Sequence, residues 1–221
     1  MKPFPAAVIL DMDGLLLDTE RMSYRALQAA AQSMGLALSM EIYVQLIGLP
    51  AHVLPQTTAA FYPPGTDTRE LFERFHALYG RMVENEPIPL RPGVGELLDF
   101  LDERALPRAV ATSTRTQLAR FKLEKAGILP RLGEVVGADR VAHGKPAPDI
   151  YLEAANPFNL PHAHIVVLED SPAGIRGAKA AGMCPIMIPD LKPPTPEDRA
   201  AARAVCRSLS EFVAKARENR I

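Results

Sequence analysis

Ala6-Ala7-Val8-Ile9-Leu10-Asp11-Met12-Asp13-Gly14 is the stretch from which the rest of the chain can be read. Five aliphatic residues without polar alternation describe a strand buried on both faces, as in a parallel sheet. The run stops at a carboxylate, a second carboxylate follows two residues on, and a glycine then frees the chain to turn. Runs of the same design occupy residues 108–111, 165–168 and 185–188, and residues 134–137 form a weaker fifth. Helical patterns fall between them at 94–103, 116–126, 150–155 and 173–181, with Gly127 and Gly182 at positions suited to helix C-termini. The alternation predicts an α/β fold, a doubly wound parallel sheet with right-handed crossovers and its ligand at the carboxyl ends of the strands.

One segment departs from the alternation. Residues 19–89 hold no convincing strand but several helical stretches, at 19–34, 41–47 and 69–84. The last carries Leu71, Phe72, Phe75, Leu78, Tyr79 and Met82 on one stripe, which reads as core packing rather than as a cofactor site. The expected organisation is therefore a core made of residues 1–18 and 90–221, interrupted by an all-helical insert over residues 19–89. A loop rich in proline (Pro193, Pro194, Pro196) precedes a final helix expected over residues 209–219.

Composition narrows the function classes. Of 221 residues, 48% are hydrophobic and 23% charged, enough to build a sizeable core. Twenty-five basic against 26 acidic residues leave a formal charge of −1, which lacks the electrostatic footprint of a nucleic-acid binder and points to a small ligand. Cys184 and Cys206 form no CxxC pair and read as two buried thiols in a reducing compartment. The first apolar run is too short for a signal peptide and no stretch has membrane-spanning length, so a cytoplasmic location without membrane partners is expected. A monomer is expected, with a weak dimer as the alternative.

The carboxylates carry the chemistry. Asp11 and Asp13 leave the first strand together, and Glu169-Asp170-Ser171 ends the strand at 165–168. Crowded carboxylates repel unless a cation or a shared proton relieves them, and an all-oxygen donor set suits Mg²⁺, which binds together with a substrate phosphate. The second run ends Thr112-Ser113-Thr114-Arg115, offering hydroxyls and backbone N–H groups, although an ST turn explains such hydroxyls equally well when taken alone. Between His143 and Asp149, glycine and proline shape a loop that presents Lys145, suited to offset carboxylate repulsion and touch a phosphate oxygen. His143 itself reads as a surface-loop residue. His52, His76, His162 and His164 show no metal-ligand spacing.

Taken together, Asp11-x-Asp13-Gly14, Thr112, Lys145 with Gly144 and Pro146, and Glu169-Asp170-Ser171-Pro172-x-Gly174-Ile175 resemble the four motifs of the haloacid dehalogenase-like superfamily of phosphotransferases. The resemblance implies Asp11 as nucleophile and Asp13 as general acid and base. It further implies phosphate contacts from Thr112, Ser113 and Lys145, and a Mg²⁺ site at Asp11, Asp13 (through its backbone carbonyl), Glu169 and Asp170. Dehalogenases of the superfamily lack the second aspartate, so Asp13 favours phosphoryl transfer from a small phosphorylated metabolite. The insert resembles the helical cap of the phosphoglycolate phosphatase and beta-phosphoglucomutase branch, which closes over small substrates. Residues Glu20, Tyr24, Gly48 and Leu49, with the Gly48-Leu49-Pro50 turn, are its expected specificity determinants. The mutase alternative expects a histidine where Ser23 stands and cations near Ile47 and Ala51. Their lack favours a plain phosphatase, and a non-catalytic phosphate-binding protein of the same fold is a third reading.

Overall fold

The computed structural model describes residues 5–49 and 52–221, so Lys2, Pro50 and Ala51 lie outside the described residues. The chain divides into two compact units, one running through Asp18 and resuming at Pro89–Ile221, the other Thr19–Ile88. Among the described residues no helix is long and apolar enough to cross a membrane.

The first unit is built on six parallel strands: β1 (Ala7–Leu10), β2 (Arg108–Ala111), β3 (Glu134–Val136), β4 (Ile165–Glu169), β5 (Cys184–Met187) and β6 (Ala204–Val205). Their order is β3-β2-β1-β4-β5-β6, so the chain winds outward on one side of β1 and then restarts on the other. The restart between β1 and β4 is the topological switch point where doubly wound sheets bind ligands. Register sets Leu10 opposite both Leu168 and Val110, which brings the carboxyl ends of β1, β2 and β4 level with one another.

The strands form because β-branched and aliphatic residues can be covered on both faces. Val8, Ile9, Val166 and Val167 are fully enclosed. Within this unit lie α5 (Val94–Glu103), α6 (Thr116–Lys125), α7 (Asp149–Ala155), α8 (Pro172–Ala180), α9 (Pro196–Ala201) and α10 (Leu209–Arg217). Gly127 and Gly182 end α6 and α8 with φ of +75° and +73°, the left-handed conformation that suits glycine. In the second unit, α1 (Thr19–Ser33), α2 (Met40–Leu46), α3 (Leu54–Ala59) and α4 (Thr68–Asn85) pack with one another. Met22, Ala26, Leu27 and Ala30 of α1 are buried, as are Leu71, Phe72 and Val83 of α4.

Three elements have no counterpart in the sequence reading: α3, α9 and β6. Each has six residues or fewer, too short to display a period. Helix α9 begins inside the proline-rich loop, where Thr195 and Asp198 form a reciprocal capping box and Pro196 occupies the first turn. Helix α10 stops at Arg217, two residues before the expected end, as Asn219 turns into positive φ. Cys206 is buried, but Cys184 is only half-buried because it starts β5 at the rim of the sheet.

Ile9, central in the sheet and fully enclosed, is expected to lose about 2–5 kcal/mol on Ile9→Ala, read as a lower urea midpoint at unchanged m-value. Leu118→Ala, at a side chain 43% exposed, is expected to stay within about 0.5 kcal/mol of wild type.

Candidate active site

The site forms where β1, β2 and β4 end. Asp11 continues the ladder of β1 by one residue, its N–H donating to the Leu168 carbonyl at 3.0 Å. The backbone then folds back on itself, with Leu16 and Leu17 N–H both donating to the Met12 carbonyl and Gly14 N–H to that of Leu17. Gly14 is required here twice over. Its φ is +86°, and a Cβ at this position would collide with the Asp170 carboxylate. The glycine after the paired aspartates therefore makes room for a carboxylate delivered by a different strand.

Lys145 anchors the cluster. Its ammonium donates to Asp11 Oδ1 at 2.5 Å, to Glu169 Oε1 at 2.5 Å and to the Ala111 carbonyl at 3.1 Å, with the side chain only 6% exposed. The Tyr151 ring lies 5.4 Å from the ammonium, and its hydroxyl donates to Glu169 Oε1 at 2.7 Å. Burial, the strongest single influence, works against the charge on Lys145, but Asp11 and Glu169 outweigh it and hold the ammonium well above the ordinary lysine value. Glu169 Oε2 accepts from Ser171 N–H at 3.2 Å and from its hydroxyl at 2.9 Å. Ser171 in turn caps α8 by accepting from Gly174 N–H.

Oxygens of Asp11, Glu169 and Asp170 lie within 4.8 Å of one another, and the Lys145 ammonium bonds the first two. Burial, followed by repulsion from Glu169, pushes the Asp11 carboxyl up to about 8 despite the opposing pull of Lys145. Hard oxygen donors crowded in this way fit a divalent cation such as Mg²⁺. Each oxygen of Glu169 already accepts two hydrogen bonds. The Asp13 side chain stands apart from this trio. Thr114 Oγ1 donates to its Oδ2 at 2.6 Å and Lys122 Nζ to its Oδ1 at 2.9 Å, so any contribution by Asp13 to a cation falls to its backbone carbonyl.

At the end of β2, Thr112 is buried and its hydroxyl accepts from Thr114 N–H at 3.1 Å, the ST turn weighed above. That bond leaves the hydroxyl proton available to a ligand oxygen. Ser113 beside it is exposed. His143 faces solvent, 77% exposed, with Nδ1 3.0 Å from Asp149 Oδ1. In the helical unit, Glu20, Gly48 and Leu49 line a pocket of about 160 Å³ together with Ser23, Tyr43 and Phe75. Tyr24 does not line it. Its ring packs edge-on against Tyr43 and its hydroxyl accepts from Gln28 at 2.8 Å, so it supports the wall from behind.

Sequence reasoning passed over Lys122, Tyr151 and the hydroxyl of Thr114. The signal for Lys122 is a lysine at the spacing of Ala119 and Leu123, on the buried face of α6. Tyr151 offers no signal, since a buried aromatic in a short helix is ordinary. Gly174 carries a testable consequence, because a Cβ there would overlap the Glu169 carboxyl group. Gly174→Ala is expected to cost about 1–3 kcal/mol through overpacking, read as a drop in unfolding midpoint. Gly144→Ala, where a Cβ meets nothing within 4 Å, is expected to leave the midpoint within about 0.5 kcal/mol of wild type.

Residues 5–182 match the model of the haloacid dehalogenase-like hydrolase family. The phosphorylated carbohydrates phosphatase of Thermotoga maritima is 33% identical over 178 residues, covering 80% of this chain and 82% of that protein. The fructose-1-phosphate phosphatase of Escherichia coli K12 is 32% identical over 180 residues, covering 80% and 93%. Among solved structures, a haloacid dehalogenase family hydrolase from Deinococcus radiodurans with bound phosphate and sodium superimposes with a TM-score of 0.81 at 27% identity, covering 99% of this chain and 97% of that one. With its six-stranded parallel sheet, helical insert and clustered strand-end carboxylates, the chain belongs to the haloacid dehalogenase-like hydrolases and is a phosphatase of the branch that includes beta-phosphoglucomutase and phosphoglycolate phosphatase.

Proposed function

We propose that the protein hydrolyses a sugar-type phosphate monoester with Mg²⁺, through an acyl-phosphate intermediate on Asp11 (aspartyl phosphate). The observation that carries this reading is the placement of Asp11, a buried carboxylate whose Oδ1 is pinned by Lys145 at 2.5 Å. A carboxylate held in this way keeps its second oxygen free to attack, as a covalent mechanism requires. Thr112, Ser113 and Lys145 supply donors for the phosphate oxygens, and a phosphoryl group needs such positioning more than it needs any other help. Asp11 and Asp170, with the carbonyl of Asp13, would hold the cation. When bound, Mg²⁺ supplies positive charge that lets an anionic nucleophile approach an anionic phosphate.

Asp13 gives a proton to the departing alcohol in the first half-reaction and removes one from water in the second. The helical unit, residues 19–88, acts as the cap that reads the leaving alcohol. Support comes from its pocket, whose polar groups from Glu20, Ser23 and Tyr43 suit the hydroxyls of a sugar. The names of the phosphatases of phosphorylated carbohydrates and of fructose 1-phosphate favour the same substrate class. Ser23 and Ile47 in the pocket wall offer no positive charge for a second phosphate, which favours hydrolysis over mutase chemistry.

Asp11→Asn is expected to lower kcat by at least about a thousandfold, since the amide keeps the shape but is a poor nucleophile. The cation makes a pH-dependent prediction. The folded Asp11 value near 8 lies above the ordinary carboxylate value of 3.8, so the metal-free protein gains stability from a proton it holds at low pH. That contribution is lost as pH rises through about 8. Cation binding needs the ionised form, so the increase in Tm produced by Mg²⁺ is expected to be larger at pH 8 than at pH 6 and to shrink in Asp11→Asn. An equal Mg²⁺ shift at both pH values, unchanged in the variant, would place the cation elsewhere. Exchanging residues 19–88 for the equivalent segment of a relative with known preference should move substrate ranking toward that relative while Mg²⁺ dependence stays. A chimera that turns over with the original ranking would assign specificity to core loops.

A further inference from the structure

Asp13 is gripped by two donors of different chemical character. Lys122 Nζ lies 2.9 Å from Oδ1, and Thr114 Oγ1 lies 2.6 Å from Oδ2. Lys122 is 3% exposed and occupies the inward face of α6 between Ala119 and Leu123, where helix periodicity calls for an apolar side chain. An ammonium placed there gives up its hydration, and a buried ion pair is a poor source of stability compared with a well-packed methionine or leucine. Packing therefore does not explain the choice of lysine. Its contact with Asp13, beside the carboxylate cluster at the ends of β1 and β4, does.

We propose that Lys122 is a positioning residue for proton transfer, pinning Oδ1 of Asp13 so that Oδ2 is the oxygen through which protons pass. The inference rests on the acid–base reading of Asp13 given above and adds the group that aims it. An ammonium has donors only, so the oxygen facing it cannot also carry the acidic proton. The Thr114 hydroxyl is different: it donates to a bare Oδ2 and can accept from a protonated one. In the first half-reaction the Asp11–phosphorus bond forms as the bond from phosphorus to the leaving oxygen breaks, and the Oδ2 proton passes to that oxygen. In the second, a water oxygen bonds to phosphorus as the Asp11–phosphorus bond breaks, and the water proton passes to Oδ2. The same oxygen is used in both directions while Lys122 and Oδ1 stay fixed.

The test uses the leaving group. A sugar alkoxide needs a proton as it departs, whereas 4-nitrophenolate leaves without one, and kcat/KM reports only the first half-reaction. Fructose 1-phosphate, glycerol 3-phosphate and pseudouridine 5′-phosphate are assayed, and the best of the three is paired with 4-nitrophenyl phosphate. The ratio of the two kcat/KM values is then measured for wild type, D13N, K122M and K122A. Both substrates meet the same population of folded enzyme, so the ratio is insensitive to any loss of folding. D13N is expected to collapse the ratio, and K122M and K122A to lower it by at least about tenfold, a part of the 10²–10⁴ that a positioned acid contributes. If the Lys122 variants lower both substrates in equal proportion, or leave the ratio unchanged, while D13N shifts it, Lys122 is merely structural. A ratio unchanged in D13N overturns the acid–base reading itself, and this inference with it.

Discussion

The buried ammonium of Lys145 is the constraint on which the rest of the site depends. Asp11 and Glu169 come from different strands and would repel across the switch point without it. A lysine enclosed at this depth is tolerated only when its donors are matched, and Asp11, Glu169 and the Ala111 carbonyl match all three. Glu169 is matched in turn by Tyr151 and Ser171. Asp170 brings a third carboxylate within 4.8 Å of Asp11 and Glu169, so the lysine gathers hard oxygen donors of the kind that suits a divalent cation.

Such crowding is possible because of where the backbone lacks side chains. Gly14 and Gly174 stand against the carboxyl groups of Asp170 and Glu169, so the turn after β1 and the start of α8 both approach the end of β4 to a distance a side chain would not permit. Parallel register supplies the remainder. Leu10 pairs with Leu168, which sets the residues after them side by side and turns two sequence-distant acidic pairs into one cluster. The helix that follows each strand then carries supporting groups back under the site, Ser171 at the head of α8 and Lys122 in α6.

Much of this was legible in the sequence because buried parallel strands write themselves as uninterrupted aliphatic runs. Residues 108–111 and 94–103 were read at their observed bounds, Asp11, Glu169 and Asp170 were singled out because charges at the ends of apolar runs have no packing explanation, and Lys145 because glycine and proline shape the loop that presents it. What escaped was encoded in three dimensions only. The contact of Lys122 with Asp13 spans 109 positions, and no local pattern announces which turn of α6 faces the first strand. Tyr151 reaches Glu169 across 18 residues from a helix of two turns. The edge-on packing of Tyr24 against Tyr43 escaped likewise, since periodicity places a residue on a helix face but does not say which neighbour meets it there. Helix α9 and strand β6 depend on a capping box and on edge pairing rather than on periodicity, and α3 is a single short run with a proline in its first turn.

The two units embody different solutions to burying a carboxylate. In the core, Asp11 is surrounded by charge and sits far from its ordinary value, a state that costs stability and is useful only if a cation and a phosphate relieve it. In the helical unit, Glu20 is met by a neutral donor, the Tyr43 hydroxyl, and burial together with the neighbouring Glu20 charge raises that phenol so that it remains a donor at every physiological pH. A neutral donor meets a carboxylate without adding a second charge that must itself be desolvated, whereas the core pairs Asp11 with the buried ammonium of Lys145.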